Sequence, residues 1–361
     1  MRALMISNPN STSVDDATLR RVVPPLLAVP GMRLRSRFTA APGHAGAMVR
    51  GLTAAEVDAV IVVGGDGTVN EVINGLLADR GAAGPPDPGA LPALAVVPAG
   101  SANVLAGALG MPREPGAAAE RLAGLLHSGV ERRITLGRAG DRWFAVNAGL
   151  GIDGEVIHAM ERLRARGVSA NPARYAPTVL GAWWRMRRDT PRIRCTVDGV
   201  DLGGELPVVV ASNTNPWTFF GQLPVVTNPA TTLDSGLGVW AVRSIAGVRG
   251  LAAVARLVGG VPRRHDPLRV AELVRSADDA ARVTLSSPRP LRFQVDGDYA
   301  GLRDRVELRA APAALRMVAP PPGRDFSAEG RRGSRWAHAA AAARRSAAGL
   351  RRRLRTWPHP G

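Results

Sequence analysis

Val60-Ile61-Val62-Val63-Gly64-Gly65-Asp66-Gly67-Thr68-Val69-Asn70-Glu71-Val72-Ile73-Asn74-Gly75-Leu76-Leu77 is an apolar run that breaks into three glycines around one aspartate before helical periodicity sets in. It reads as a strand feeding a phosphate-binding turn. Glycines let the backbone approach an anion with its N–H groups turned inward, and the N-terminus of the following helix adds partial positive charge. A carboxylate in such a cradle repels bare phosphate. Asp66 therefore makes chemical sense with Mg²⁺, through its water shell, between it and a nucleotide. An ordinary Asp-Gly turn is the alternative, but it has no need of three glycines before a helix.

Around this stretch the first third of the chain alternates two periods. Strand patterns at 2–7, 33–38, 59–63 and 93–97 alternate with helix patterns near 15–27, 44–53, 69–79, 103–109 and 116–127. That alternation predicts a parallel sheet with helices on both faces. Gly81 to Pro92 reads as an exposed, mobile loop. After about residue 131 the pattern shortens to β-like runs at 132–137, 142–148, 192–198, 206–212, 237–242, 281–286, 291–296 and 304–309. Asp-Gly and Pro-rich turns separate them, which predicts an antiparallel sandwich. Helical stretches at 154–166 and 173–188, and a third at 246–258, interrupt it.

Composition narrows the chemistry. All 47 basic residues are arginines, so a Walker-type loop with its lysine is excluded, and cationic help must come from arginine or a metal. A net charge of +17 calls for an anionic partner, phospholipid headgroups or nucleic acid. Part of that excess sits in residues 321–361, where ten arginines face Asp325 and Glu329. The single cysteine, Cys195, forms no intrachain disulfide and fits a reducing cytoplasm. The start lacks a signal-peptide pattern, and no stretch approaches the roughly 20 apolar residues needed to cross a bilayer.

Gly64 to Thr68 match the GGDGT signature shared by NAD kinases, phosphofructokinases and the lipid kinases related to diacylglycerol, sphingosine and ceramide kinases. The continuation Val69-Asn70-Glu71-Val72 is similar to the lipid branch. Ile6-Ser7-Asn8-Pro9-Asn10-Ser11 resembles that family's first-strand loop, Phe38 to Ala45 its Thr-containing second loop, and Val97 to Ala106 its second glycine loop. Asn147 to Asp153, Leu233 to Leu237 and Gln294 to Asp298 follow in the family's order. One glycine loop alone would be weak; the ordered set spans residues 4–318.

The resemblance implies a three-layer α/β domain of the NAD kinase/phosphofructokinase type over residues 1–131, holding the GGDGT loop, followed by a β-sandwich lipid-substrate domain over 132–320. Ala313 to Pro320 would be a last strand returning to the first domain, with a basic Ala/Arg-rich tail beyond it. It implies an ATP- and Mg²⁺-dependent lipid kinase, with diacylglycerol to phosphatidic acid as the leading reaction. A sphingoid or other lipid-alcohol kinase, an NAD kinase and a non-catalytic lipid- or nucleotide-binding relative stay open. Nucleotide contacts are implied for Asn8, Thr39, Gly64, Gly65, Asp66, Gly67, Thr68, Val69, Asn70, Glu71, Gly100, Ser101 and Asn103. A cap or turn role is the alternative for Thr39, Ser101 and Asn103.

Asp298 matches the general base of the VDGE-type motif, one methylene shorter than the usual glutamate, and Asp66 acts beside it at the phosphates. A hairpin turn is the other reading of Val295 to Asp298. Asp66 would face the catalytic metal, and Asp234, Ser235 and the Leu237 carbonyl a structural one. Val104, Thr135 and Ser235 depart from the pattern, each standing where an acidic residue is common. The implied partners are a lipid substrate and an anionic membrane surface met through the basic tail, with no specific nucleic acid; a homodimer stays open. That places the chain in the cytoplasm, peripheral at the inner membrane face. Tyr175, Val179, Trp183 and Met186, and after them Trp217, Phe219 and Phe220, read either as a lipid-facing surface or as packing.

Overall fold

A computed structural model describes residues 1–9, 11, 14–78, 87–151, 190–220, 223–257 and 269–322. The helical stretches expected at 154–166 and 173–188, residues 81–86 of the expected loop, and the basic tail from 323 lie outside the described residues; the rest of that loop holds a short turn at Pro88–Ala90 and buries Leu91. Met1 to Pro320 forms one compact unit.

The N-terminal part is α/β. Strands β1 (Arg2–Ser7), β2 (Arg33–Phe38), β3 (Ala59–Gly64) and β4 (Ala93–Pro98) pair in parallel in the order β4-β3-β1-β2. β3 and β4 are buried along their whole length, which is why they read as unbroken apolar runs instead of alternating ones. Helices α1 (Asp16–Leu27) and α5 (Pro115–His127) pack on each other, as do α2 (His44–Val49) and α3 (Asp66–Leu76). Asp15 starts α1 by accepting the Thr18 N–H, and Glu114 starts α5 by accepting that of Ala117. The short α4 (Val104–Ala108) follows β4.

The C-terminal part is a β-sandwich whose strands join the same sheet, except β11 and β12, which pair only with each other. Its strands are β5 (Arg132–Ala139), β6 (Arg142–Phe144), β7 (Asn147–Gly151), β8 (Arg194–Val197), β9 (Val200–Asp201), β10 (Val208–Ser212), β11 (Thr218–Phe220), β12 (Leu223–Val225), β13 (Leu237–Val242), β14 (Val274–Ala280), β15 (Arg282–Val295) and β16 (Asp298–Met317). One helix, α6 (Gly247–Leu257), lies between β13 and β14. The main path runs β14-β13-β10-β7-β15-β16-β4-β3-β1-β2, with β5 on β16 and β8 on β15.

Two expected short strands, 281–286 and 291–296, are one strand, β15. Its register slips between Ser286 and Leu291, where Pro288 and Pro290 cannot donate to a ladder. The expected 304–309 segment extends to the 20 residues of β16, which pairs with β15, then β5, and at Met317 lies parallel to Leu94 of β4. A long bent hairpin thus serves as shared wall for both halves. The buried Cys195 lies among the sandwich core, where burial pushes its thiol up to about 12.

Helices α2 and α3 touch through glycines. A Cβ on Gly75 would lie 2.7 Å from both Gly46 Cα and a methyl of Val49. Gly75→Ala is therefore expected to cost about 1–3 kcal/mol by overpacking. Gly107→Ala, at the exposed position of the otherwise mostly buried α4 with nothing within 4 Å, should be neutral or stabilising by about 0.5–1 kcal/mol. Urea denaturation of the two variants checks the contrast.

Candidate functional site

The carboxyl ends of β1, β3 and β4 bring the glycine loops together, the usual place for ligands in an open parallel sheet. Gly64 lies opposite Pro98, so the turns after β3 and β4 emerge side by side. A Cβ on Gly100 would lie 2.5 Å from Gly65 Cα, and one on Gly65 3.2 Å from Gly100 Cα. Gly100 must be glycine for the backbones to meet, and a side chain at Gly65 would be tight. Ser11 Oγ donates to the Ala99 carbonyl at 2.8 Å, tying the loop after β1 to the same place.

α3 begins directly at Asp66, three residues earlier than its apolar periodicity suggested, and no side chain caps it. Its first turn keeps the positive end of the helix dipole toward the loops. Asp66 instead caps a different helix. Its Oδ2 accepts the Val104 N–H at 3.0 Å and its Oδ1 the Leu105 N–H at 3.1 Å. Burial pushes the Asp66 carboxyl up, while the amides of Val104, Leu105 and Asn103 oppose that shift. Asn103 is not the cap of α4. It sits left-handed at φ 50° and folds back on Gly100, accepting its N–H at 2.9 Å and donating to its carbonyl at 2.7 Å.

The other expected nucleotide residues divide by what holds them. Asn8 donates to Thr68 Oγ1 at 3.1 Å, so both brace the turn after β3. Val69 buries its side chain in the core and gives its N–H to the Gly65 carbonyl. Glu71 accepts the N–H groups of Gly43, at 2.8 Å, and Ala45, fixing the loop after β2. In that loop Thr39 is buried and donates its N–H to the Ser7 carbonyl. Gly67 and Ser101 stand exposed at the mouths of the two loops.

A second cluster joins α3 to the sandwich. Asp296 and Gly297 both have positive φ, 49° and 83°, and form the tight turn between β15 and β16. The Asp296 carboxylate turns inward. Oδ1 accepts the N–H groups of Val146 and Asn147 at 2.9 Å each, and Oδ2 accepts that of Ala145 at 2.8 Å and Asn70 Nδ2 at 2.7 Å. Burial pushes this carboxyl up to about 6 against those donors. Asn70 and Asn74 both donate to the Trp143 carbonyl at 3.0 Å, and Asn74 Oδ1 accepts the Trp143 N–H at 2.9 Å. The Asn70 Nδ2 group is thus occupied by the sandwich. Asp296, Asn74, Trp143 and Ser11 were not singled out from the sequence. The legible signal was two asparagines at i and i+4 on a helix otherwise buried through Val69, Val72 and Ile73, since buried amides need partners.

Two residues beyond Asp296, Asp298 opens β16 with its carboxylate half exposed, and its Oδ2 receives Arg142 Nη2 at 2.6 Å. The Asp66 and Asp298 segments are therefore linked through one helix, α3. Asp234, Ser235 and Leu237 are not gathered there. Both oxygens of Asp234 accept Arg132 Nη2, at 2.8 and 2.7 Å, and Ser235 Oγ donates within its own turn, to the Thr232 and Gly236 carbonyls. A guanidinium thus stands where a structural cation would bind, and this set does not fit one. Asp66 does fit a single carboxylate helping a nucleotide-borne Mg²⁺ through a water shell, beside the amides it accepts from α4. Among the described residues no three His, Cys, Asp or Glu side chains gather as a metal site. Trp217 packs against the core beside Trp240, its carbonyl accepting Asn147 Nδ2; the helical stripe from Tyr175 to Met186 and the Phe219 and Phe220 side chains lie outside the described residues.

Glycine loops at the carboxyl edge of a parallel sheet are thus joined through one helix to a carboxylate turn of a sandwich. Residues 2–138 match the model of the diacylglycerol kinase catalytic domain. It is 26% identical over 282 residues to the diacylglycerol kinase of Bacillus subtilis strain 168, covering 75% of this chain and 81% of that protein. It is 27% identical over 317 residues to a Salmonella gallinarum protein named Probable lipid kinase YegS, covering 86% and 94%. A crystal structure titled as a diacylglycerol kinase from Bacillus anthracis superposes with a TM-score of 0.64 at 20% identity over 89% of this chain and 97% of that one, a likeness of fold.

Removing the Asp296 carboxylate strands three N–H groups of residues 145–147. Asp296→Ala should cost about 3 kcal/mol or more in denaturant unfolding, and a cycle with Asn70→Ala should show about 0.5–3 kcal/mol of coupling. The raised folded value means that ionising Asp296 costs stability. Its contribution is fully present below about pH 4 and declines as pH rises to about 6. A carbon-detected NMR titration should place its midpoint near 6.

Proposed function

We propose that the protein transfers the γ-phosphoryl group of ATP to a lipid hydroxyl, with diacylglycerol giving phosphatidic acid as the reaction. The observation that carries this reading is the Asn70–Asp296 bond at 2.7 Å, which links the helix of the GGDGT loop to the turn bearing Asp298. A phosphate cradle and a proton acceptor are then set on one rigid support, which is what positioning in phosphoryl transfer requires.

Gly64, Gly65, Gly67, Gly100 and Ser101, with the first turn of α3, would cradle the phosphates. Asn8, Thr39, Thr68, Val69, Asn70, Glu71 and Asn103 would act one step back, by holding those loops. Asp66 would hold Mg²⁺ through bound water; the ion, when present, neutralises phosphate charge. Asp298 would accept the proton of the lipid hydroxyl. As that proton leaves, the hydroxyl oxygen bonds to the γ-phosphorus, and the bridging P–O bond breaks with its electrons going to ADP. No step involves Asp234, Ser235 or Leu237.

No described helix is long and apolar enough to cross a membrane. The +17 charge supports peripheral contact with anionic lipid, the tail from 321 contributing. The chain would then work at the inner face of the membrane.

The test is transfer of labelled γ-phosphate to micelles of diacylglycerol, ceramide or sphingosine, and to NAD, by wild type, Asp66→Ala and Asp298→Ala. Label is expected in phosphatidic acid, reduced at least 100-fold in Asp298→Ala, the scale of a lost general base. Label in a sphingoid product or in NADP would replace the substrate, and ATP binding without any transfer would favour a binding protein.

A further inference from the structure

Asp298 is held from one side only. Arg142 Nη2 donates to Oδ2 at 2.6 Å, while Oδ1 accepts from no described residue and the side chain is 48% exposed. One oxygen is therefore fixed and the other left for a substrate. Arg142 sits one residue before Trp143, whose peptide makes three hydrogen bonds to Asn70 and Asn74 of α3. Trp143 is itself buried, with the Arg138 guanidinium 5.2 Å above its ring. The backbone carrying Arg142 is thus fixed to the helix that carries the glycine loop.

We propose that Arg142 is a positioning residue, setting the angle of the Asp298 carboxylate so that Oδ1 meets the lipid hydroxyl. This rests on the reading of Asp298 as proton acceptor. An aspartate is one methylene shorter than the glutamate of the resembled motif, so its carboxylate stays close to the backbone of the turn. A guanidinium donor on a long side chain can reach it there and select one rotamer. As a partly exposed ion pair it adds little to stability. Its removal would therefore change turnover much more than folding. A misplacement of about 1 Å in such a site costs on the order of 100-fold in rate.

The experiment measures kcat, KM for ATP and thermal midpoint in the diacylglycerol micelle assay for wild type, Arg142→Gln, Arg142→Lys, Asp298→Ala and the Arg142→Gln/Asp298→Ala double variant. Arg21→Gln, at an exposed ion pair with Glu114 remote from the site, is the control. The expected result is a kcat roughly 10- to 100-fold lower in Arg142→Gln, partial recovery in Arg142→Lys, and little change in KM for ATP or in midpoint. The double variant should be no slower than Asp298→Ala, because Arg142 acts through that carboxylate. Normal kcat in Arg142→Gln beside an inactive Asp298→Ala overturns this inference alone. So does an undiminished effect of Arg142→Gln in the Asp298→Ala background, or a loss confined to KM for ATP, which would make Arg142 a phosphate ligand. No transfer by wild type, or full turnover in Asp298→Ala, overturns the underlying reading and the inference with it.

Discussion

One buried carboxylate determines how the two parts of this chain meet. Asp296 accepts three consecutive backbone N–H groups, from Ala145 to Asn147, and a side-chain amide from Asn70, 226 residues away in sequence. Without it the corner between β6 and β7 would bury unpaired donors, and the β15–β16 turn would lose its anchor to α3. The turn conformation itself, two residues with positive φ, is what aims the carboxylate inward and leaves Asp298 outside. Structure and chemistry are thus divided between two aspartates of one Asp-Gly-Asp sequence.

Arginine recurs where charge needs an organiser in this lysine-free chain. Arg142 engages Asp298, Arg132 engages Asp234, and Arg138 lies over Trp143. A guanidinium presents several fixed donors and stays charged, so it can orient a carboxylate as well as neutralise it. At Asp234 the same property fills a place that the family resemblance gave to a metal. Ser235, a weak oxygen donor there, is consistent with that exchange, its hydroxyl satisfied inside the turn.

The parallel sheet was legible because its strands obey simple rules: apolar runs at β3 and β4, bounded by glycine loops, allow little else. Helix α1 was legible from its periodicity. Legibility ended where a residue's partner is distant in sequence. Asn70 read as a ligand contact because it stands beside the glycine loop, and only the folded chain shows Asp296 and Trp143 claiming its amide. Asn103 read as a nucleotide contact or, by residue type, as a cap, whereas Asp66 provides the side-chain cap from another segment. The length of β15 was hidden because two prolines interrupt the alternation that a continuous strand would show.

The placement of β16 also orders assembly. β4 receives its outer neighbour only when the end of the chain's last described strand arrives, with Met317 beside Leu94 and Arg316 donating to the Leu91 carbonyl 225 residues back. During synthesis the glycine-loop segment would therefore emerge with one flank of its sheet unpaired, an adhesive edge awaiting its partner. Closing so long a loop is entropically slow, and it makes completion of the nucleotide end depend on the sandwich having formed.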